Sequence, residues 1–500
     1  MEQELNRLKE IMAEVYDLSR AMALLGWDQQ TYMPPGGAED RANQLSTLSR
    51  IEHERWVSDE TGELIESLSA QVDSLDPDSD DACLIRAAAR EYKKRTRVPS
   101  SLVVEFAKIL PAAHEAWVKA RKENNFAVFQ PFLERIVALR REYAGYFAPY
   151  DHIYDPLLDD FEPGMKTADV KQIFAQLRPQ QVELIRAIGE RPQVEDSFLM
   201  LEYADQDQWD FGVEVATAFG FDWNRGRQDR TAHPFTTNFS IDDVRLTTRI
   251  IPNRVASALF STMHEAGHGM YEQGVDPSLR RGPLAGGASL ALHESQSRMW
   301  ENLVGRSLPF WKCFFPRLQE RFPAQLGNVD LMTFYKAINK VEPSLIRTEA
   351  DEATYNLHIM LRLELEIALM EGSLEVKDLP EAWNARMNDY LGITPPNDAM
   401  GVLQDVHWSG GMIGYFATYA LGNLVSVQLW ECIRKEIPDL DEQIERGDFS
   451  ALLGWLREKI HRHGAKFEPQ DLVQRVTGSK IDPQPYVRYL QTKFGGIYGL

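Results

Sequence analysis

Apolar residues recur at intervals of three and four along most of the chain. The pattern is plain in LNRLKEIMAEVYDLSRAMALLGW (residues 5–27), SLVVEFAKILPAAHEAWVKARKE (101–123) and NLHIMLRLELEIALMEG (356–372). Such spacing lays the apolar side chains on one face of a helix, so the protein is predicted to be mainly α. One region departs from it. HPFTTNFSIDDVRLTTRIIP (233–252) is rich in Thr, Phe, Ile and Val, and SIDD supplies a turn. It predicts a small antiparallel hairpin or sheet.

Proline-bearing breaks at YMPPGGAED (32–40), DPLLDDFEPGM (155–165) and GITPPNDAM (392–400) read as turns between helices. No Ser/Gly/Pro-rich linker or shift of composition divides the chain. Residues 1–500 therefore read as one large domain, with length enough for two lobes. The stretch Trp408–Trp430 is free of charge and long enough to span a bilayer. Its glycines, Asn423 and Gln428 make it a buried core helix instead.

The 54 basic and 75 acidic residues leave a formal charge of -21, which argues against nucleic acid or an anionic membrane as partner. Three scattered cysteines, Cys83, Cys313 and Cys432, indicate neither a disulfide framework nor a thiolate metal site. With a charged, amphipathic start in place of an export signal, a cytoplasmic location is expected.

The chemistry concentrates in STMHEAGHGMYEQG (261–274), where His264, Glu265 and His268 form H-E-x-x-H. On a helix four residues rise about 6 Å and turn about 400°, so both imidazoles share one face and reach one ion. Glu265, about 100° further round, is placed to reach a water held by that ion. The competing reading is a helix whose two histidines hydrogen-bond in the core. A catalytic metal site needs a third protein ligand and an open position. Tyr271 and Gly274 stand where a metzincin needs glycine and histidine, which excludes that subclass. Glu272 lies about 12 Å beyond His264 on the same helix and reads as a surface residue.

Glu294, in LALHESQSRMWENL (290–303), is the better third ligand. It follows His268 by 26 residues, after the Gly-rich turn RRGPLAGGAS (280–289) that lets a second helix fold back. This is the gluzincin arrangement. Against it stand a simple pair of Glu294 with Arg298, and rival ligands Glu349, Asp351 and Glu352 in IRTEADEATYNLH (346–358). HEAWV (114–118) and HRH (461–463) read as surface features.

Several stretches agree with one family in order along the chain. They are WDQQTYMP (27–34), DRTAHPF (229–235), DVRLTTR (243–249), HEAGH (264–268), HESQSR (293–298), IRTEAD (346–351), GVLQDVHWSGGMIGYFATYALGN (401–423) and GGIYG (495–499). The sequence resembles the M32 metallocarboxypeptidases, the group typified by thermostable carboxypeptidase Taq. The resemblance implies a large helical zincin-type peptidase whose lobes flank a deep cleft, usually a homodimer. It removes single residues from peptide C-termini with broad specificity, using one divalent ion per chain, zinc or in some members cobalt. By position, His264, His268 and Glu294 match the metal ligands and Glu265 the catalytic glutamate.

An oxyanion formed in such a reaction needs a neutral donor, for which Tyr415 is the first choice, with His407 and Tyr419 in the same glycine-rich segment. A terminal carboxylate calls for an arginine fork. Arg347 leads and Arg249 follows, although Arg347 could instead pair with Asp351 one turn on. His233 either lines the cleft or caps the turn with Pro234. The rival activities are an endo-acting zinc oligopeptidase of related helical architecture and a helical scaffold with a structural metal.

Overall fold

A computed structural model describes residues 1–500, most of them helical. The chain divides into two compact units, each assembled from three separate segments. The first holds residues 1–96, 195–338 and 429–477, and the second 97–194, 339–428 and 478–500. Two of the five crossings between units fall inside helices, Asp80–Arg97 and Ala417–Glu436, where no linker marks a boundary.

In the first unit the predicted N-terminal helix spans Glu2–Thr31 and buries Leu5, Leu8, Ile11 and Met12. Leu5, Leu8 and Met12 pack against Trp56, Ile65, Leu68, Ile85 and Ala88. The helix Val255–Gln273 is buried on nearly every side and carries the H-E-x-x-H motif.

The hairpin predicted at 233–252 exists, as β2 (Thr236–Ser240) antiparallel to β3 (Asp243–Thr248), with a register shift between Asn238 and Ser240. The sheet is nevertheless larger than predicted and mixed. An additional strand, β1 (Gly226–Arg230), pairs in parallel with β3, giving the order β1-β3-β2. Its sequence, GRQDR, lacks the β-branched and aromatic residues that mark strands, so its polar pattern concealed it. An edge strand needs little more than its backbone hydrogen bonds to the central one.

In the second unit, Ser100–Glu123 buries Ala113, Ala116, Trp117 and Ala120 along one face and ends at Asn124 in the left-handed conformation. Tyr355–Glu371 is buried all round, including Arg362 and Glu366. The charge-free run breaks at Gly411 and Gly414, both with positive φ, before a helix over Ala417–Glu436 whose residues are mostly buried. No helix is long and apolar enough to cross a membrane.

Candidate metal centre

The site in the first unit begins with a glycine inside the motif. A Cβ on Gly267 would stand 2.7 Å from the Ser297 Cα, 2.8 Å from the Gln296 carbonyl oxygen and 3.0 Å from the Ser297 nitrogen. All three are backbone atoms of the following helix, Leu290–Arg298, which therefore crosses the motif helix at a distance only glycine permits. The crossing helix starts at Ser289, whose hydroxyl accepts from the Leu292 nitrogen at 3.1 Å. Five residues further on, the crossing brings Glu294 onto the two histidines.

Ligand atoms of His264, His268 and Glu294 all lie within 4.8 Å of one another. Glu294 Oε2 is 3.6 Å from His264 Nε2 and 3.7 Å from His268 Nε2. Ligands at ordinary zinc distances in a tetrahedron stand about 3.4 Å apart. Two imidazole nitrogens and a carboxylate oxygen at this spacing fit a divalent ion with a fourth position left over. The pair of Glu294 with Arg298 is present as well, at 2.6 Å through the other carboxylate oxygen, so the two readings of Glu294 do not compete. The alternatives Asp351 and Glu352 belong to the second unit. There Asp351 accepts from Thr354, and Glu352 pairs with Lys493 at 2.6 Å.

Both histidines are oriented from behind. His264 Nδ1 lies 2.9 Å from Glu301 Oε2, and Arg298 Nη1 donates to the same oxygen at 3.1 Å. Glu294, Arg298 and Glu301 stand at i, i+4 and i+7, a spacing that puts all three on one helical face and was legible in HESQSRMWENL. Glu301 sits in a π-helical turn, Met299–Val304, of the kind that helices often form at functional sites. Burial works against its ionisation, yet Arg298 and His264 hold Glu301 down at about 2. Burial, His264 and His293 together keep His268 well below its usual range, in the neutral form a ligand needs. Burial depresses His264 too, but Glu294 and Glu301 overcome it and raise that imidazole.

Glu265 is 6% exposed, and burial pushes its carboxyl up, with His264 and Thr236 opposing. Thr236, on β2, donates to Glu265 Oε2 at 2.6 Å. The hairpin upstream of the motif thus serves to hold the glutamate, which nothing in the spacing of the motif revealed. Glu272, expected at the surface, is 7% exposed and accepts from Asn238 at 2.7 Å, because the sheet covers that side of the helix. His461 of HRH is likewise fully buried and bonded to Gln296 at 2.9 Å, and not a surface feature. His114 of HEAWV is exposed.

His233 is also in the first unit, exposed ahead of β2. Arg249, just after β3, is exposed, with one long contact to the Ala232 carbonyl at 3.5 Å.

Arg347, His407 and Tyr415 belong to the second unit. The partner of Arg347 is Asp405, at 2.9 Å, and not Asp351. Its Nη1 donates to the Tyr355 hydroxyl at 3.0 Å, and Arg362 approaches the other Asp405 oxygen at 2.5 Å. One carboxylate thus stands between two buried arginines, leaving a net positive charge there. His407 has its ring 5.2 Å from that of Tyr415, and its Nε2 is 3.5 Å from the Tyr419 hydroxyl. Burial lowers His407 to about 4 against the pull of Asp405, so it is a neutral imidazole at pH 7. Glu366 fixes the segment around it by accepting from Trp408 Nε1 at 2.7 Å and from the Gly414 nitrogen at 3.0 Å.

Residues 7–494 match the family described as carboxypeptidase Taq (M32) metallopeptidase. Thermostable carboxypeptidase 1 of Thermus thermophilus is 42% identical over 502 residues, covering 98% of both chains. Carboxypeptidase 1 of Bacillus subtilis is 37% identical, covering 98% of this chain and 97% of its own. Among solved structures, the M32 carboxypeptidase from Deinococcus radiodurans superposes with a TM-score of 0.97 at 42% identity, covering 100% of each chain. A motif helix that presents two histidines, a crossing helix that delivers a carboxylate, and likeness over the whole length place this chain in the M32 carboxypeptidase Taq family, as a metal-dependent carboxypeptidase.

Proposed function

We propose that residues 1–500 work as one peptidase domain whose metal centre is His264, His268 and Glu294, with Glu265 as general base. The observation that carries this reading is the convergence of two Nε2 atoms and one carboxylate oxygen beside a buried glutamate that Thr236 holds. The N, N, O donor set suits zinc, with cobalt as the substitute. A divalent ion bound there supplies a Lewis acid and lowers the pKa of water towards neutrality.

Glu265 takes the proton of the attacking water and returns it to the leaving amine. Burial supports both halves of this task, since a carboxyl pushed up from its ordinary range binds a proton more firmly and still releases it. Thr236 Oγ1 fixes one carboxylate oxygen and leaves the other for the proton. Tyr415 donates to the tetrahedral oxyanion, with neutral His407 as the alternative donor. Arg347 receives the substrate's terminal carboxylate, supported by the excess positive charge of its cluster with Arg362 and Asp405. His233 contributes to substrate binding from its exposed position ahead of β2.

The three free cysteines agree with a reducing cytoplasm, and the family resemblance with a homodimer, which sedimentation measures directly. Catalysis is tested by giving the metal-loaded protein a free-acid peptide and its C-terminal amide, and following products by mass spectrometry. Stepwise loss from the free acid, blocked by the amide and by a chelator, is expected. Equal internal cleavage of both peptides would refute the exopeptidase reading. Glu265→Gln should keep the metal while losing about 10²–10⁴-fold in kcat.

A further inference from the structure

Behind His268 the structure holds a chain of hydrogen bonds that runs through four elements of the first unit. His268 Nδ1 lies 3.0 Å from His293 Nδ1, and His293 Nε2 lies 2.5 Å from Glu272 Oε1. Asn238 Nδ2 donates to Glu272 Oε2 at 2.7 Å, and Arg20 Nη1 donates to Asn238 Oδ1 at 2.7 Å. Arg20 comes from the N-terminal helix, Asn238 from β2, Glu272 and His268 from the motif helix, and His293 from the crossing helix.

The direction of every bond follows from the two ends. Arginine only donates, so it fixes Asn238 with its oxygen towards Arg20 and its amide nitrogen towards Glu272. A carboxylate only accepts, so Glu272 requires a proton on His293 Nε2, which in the neutral imidazole leaves Nδ1 bare. That bare nitrogen can only accept, so the proton of neutral His268 is drawn to Nδ1 and its Nε2 lone pair is turned to Glu294 and His264. Packing holds the intermediary in place. The Tyr271 ring stands 4.9 Å from that of His293, and a Cβ on Gly287 would overlap the His293 ring.

We propose that His293, polarised by Glu272, Asn238 and Arg20, is a positioning residue that sets the tautomer of His268 and so the affinity of the chain for its metal. The inference rests on the metal reading of His264, His268 and Glu294. The two metal-site histidines are then served differently, His264 by a carboxylate directly and His268 by a carboxylate acting through a second imidazole.

The test is zinc affinity of the full, chelator-stripped chain, by competition with a chromophoric chelator. Glu272→Gln places an amide between two donors. Either the amide nitrogen meets His293 and inverts its tautomer, or Asn238 must turn away from Arg20. Zinc affinity should fall about 10–100-fold. The double variant Asn238→Asp with Glu272→Gln restores the polarity of each bond at unchanged net charge, and should recover most of the loss. A single variant that binds as the wild type does, or a double variant no better than the single, overturns the proposal.

A second pair removes dependence on the folding of those variants. His293→Asn keeps an acceptor where Nδ1 stood and should bind zinc within a few-fold of wild type. His293→Gln sends its amide to Glu272 instead, leaves His268 without an acceptor, and should bind about 10–100-fold more weakly. Equal or reversed affinities for the two overturn it as well. A wild-type chain that takes up no zinc, cobalt or other divalent ion overturns the metal reading itself, a result that the wild-type titration separates from the others.

Discussion

Replacing Gly267 by alanine adds one carbon in the middle of H-E-x-x-H without touching any of its functional side chains. On an isolated helix the change is favourable, by about 1 kcal/mol. Here the new Cβ starts 2.7 Å from the Ser297 Cα, where ordinary contact begins at 3.4 Å. The three atoms it meets are backbone, so no side-chain rotation relieves the overlap. The crossing helix must retreat by roughly 0.7 Å, and overpacking of this kind costs about 1–3 kcal/mol, more than the propensity gain. Metal ligands tolerate displacements of only about 0.2 Å, so the retreat that carries Glu294 away should weaken zinc binding by tenfold or more. The assay pairs thermal unfolding in chelator with zinc competition, and uses Gly26→Ala as reference. Gly26 lies inside the helix Glu2–Thr31 with nothing within 4 Å of its Cβ position, so there alanine should stabilise. A Gly267→Ala protein as stable as the Gly26→Ala one, with wild-type zinc affinity, would refute the argument that this glycine sets the helix crossing.

Thr236→Val removes the hydroxyl that holds Glu265 and should lower kcat about 10–100-fold with zinc affinity unchanged, since a hydrogen bond to a charged group is worth about 1.5–3 kcal/mol. Glu301→Gln leaves only a neutral amide oxygen before His264 and Arg298 and turns its amide nitrogen towards Arg306, and with the carboxylate's charge gone zinc binding should weaken about 10–100-fold in the same competition assay. His461 is buried and neutral, and burial lowers it from 6.5 to about 3. Between those values the unfolded chain binds a proton that the folded chain does not, so stability is lost as pH falls from 6.5 towards 3. The full loss is about 4–5 kcal/mol, and urea unfolding at stepped pH should show a weaker acid dependence for His461→Gln than for wild type.

What could be read from the sequence was whatever depends on near neighbours along the chain. Helical periodicity depends on spacings of three and four, so the helices at 5–27, 101–123 and 356–372 were foreseen, as was the β2–β3 hairpin with its short turn. The common face of His264 and His268 is a local property of one helix. The Gly-rich turn that lets the next helix fold back points to Glu294 ahead of Glu349, Asp351 and Glu352, and the spacing of Glu294 to Arg298 and Glu301 lies open in the same stretch. Tertiary structure alone decided what stands behind those residues. Thr236 reaches Glu265 across 29 residues, Arg20 reaches Asn238 across 218, and Arg347 pairs with Asp405 and not with the aspartate one turn away. Glu272 was misplaced at the surface because a single helix cannot show that a sheet covers its other side, and β1 went unseen because its partner strand, not its own composition, makes it a strand. Periodicity reports the faces a helix offers. Which polar groups meet across those faces depends on the angle and distance of crossing, and here a glycine inside the motif sets that distance.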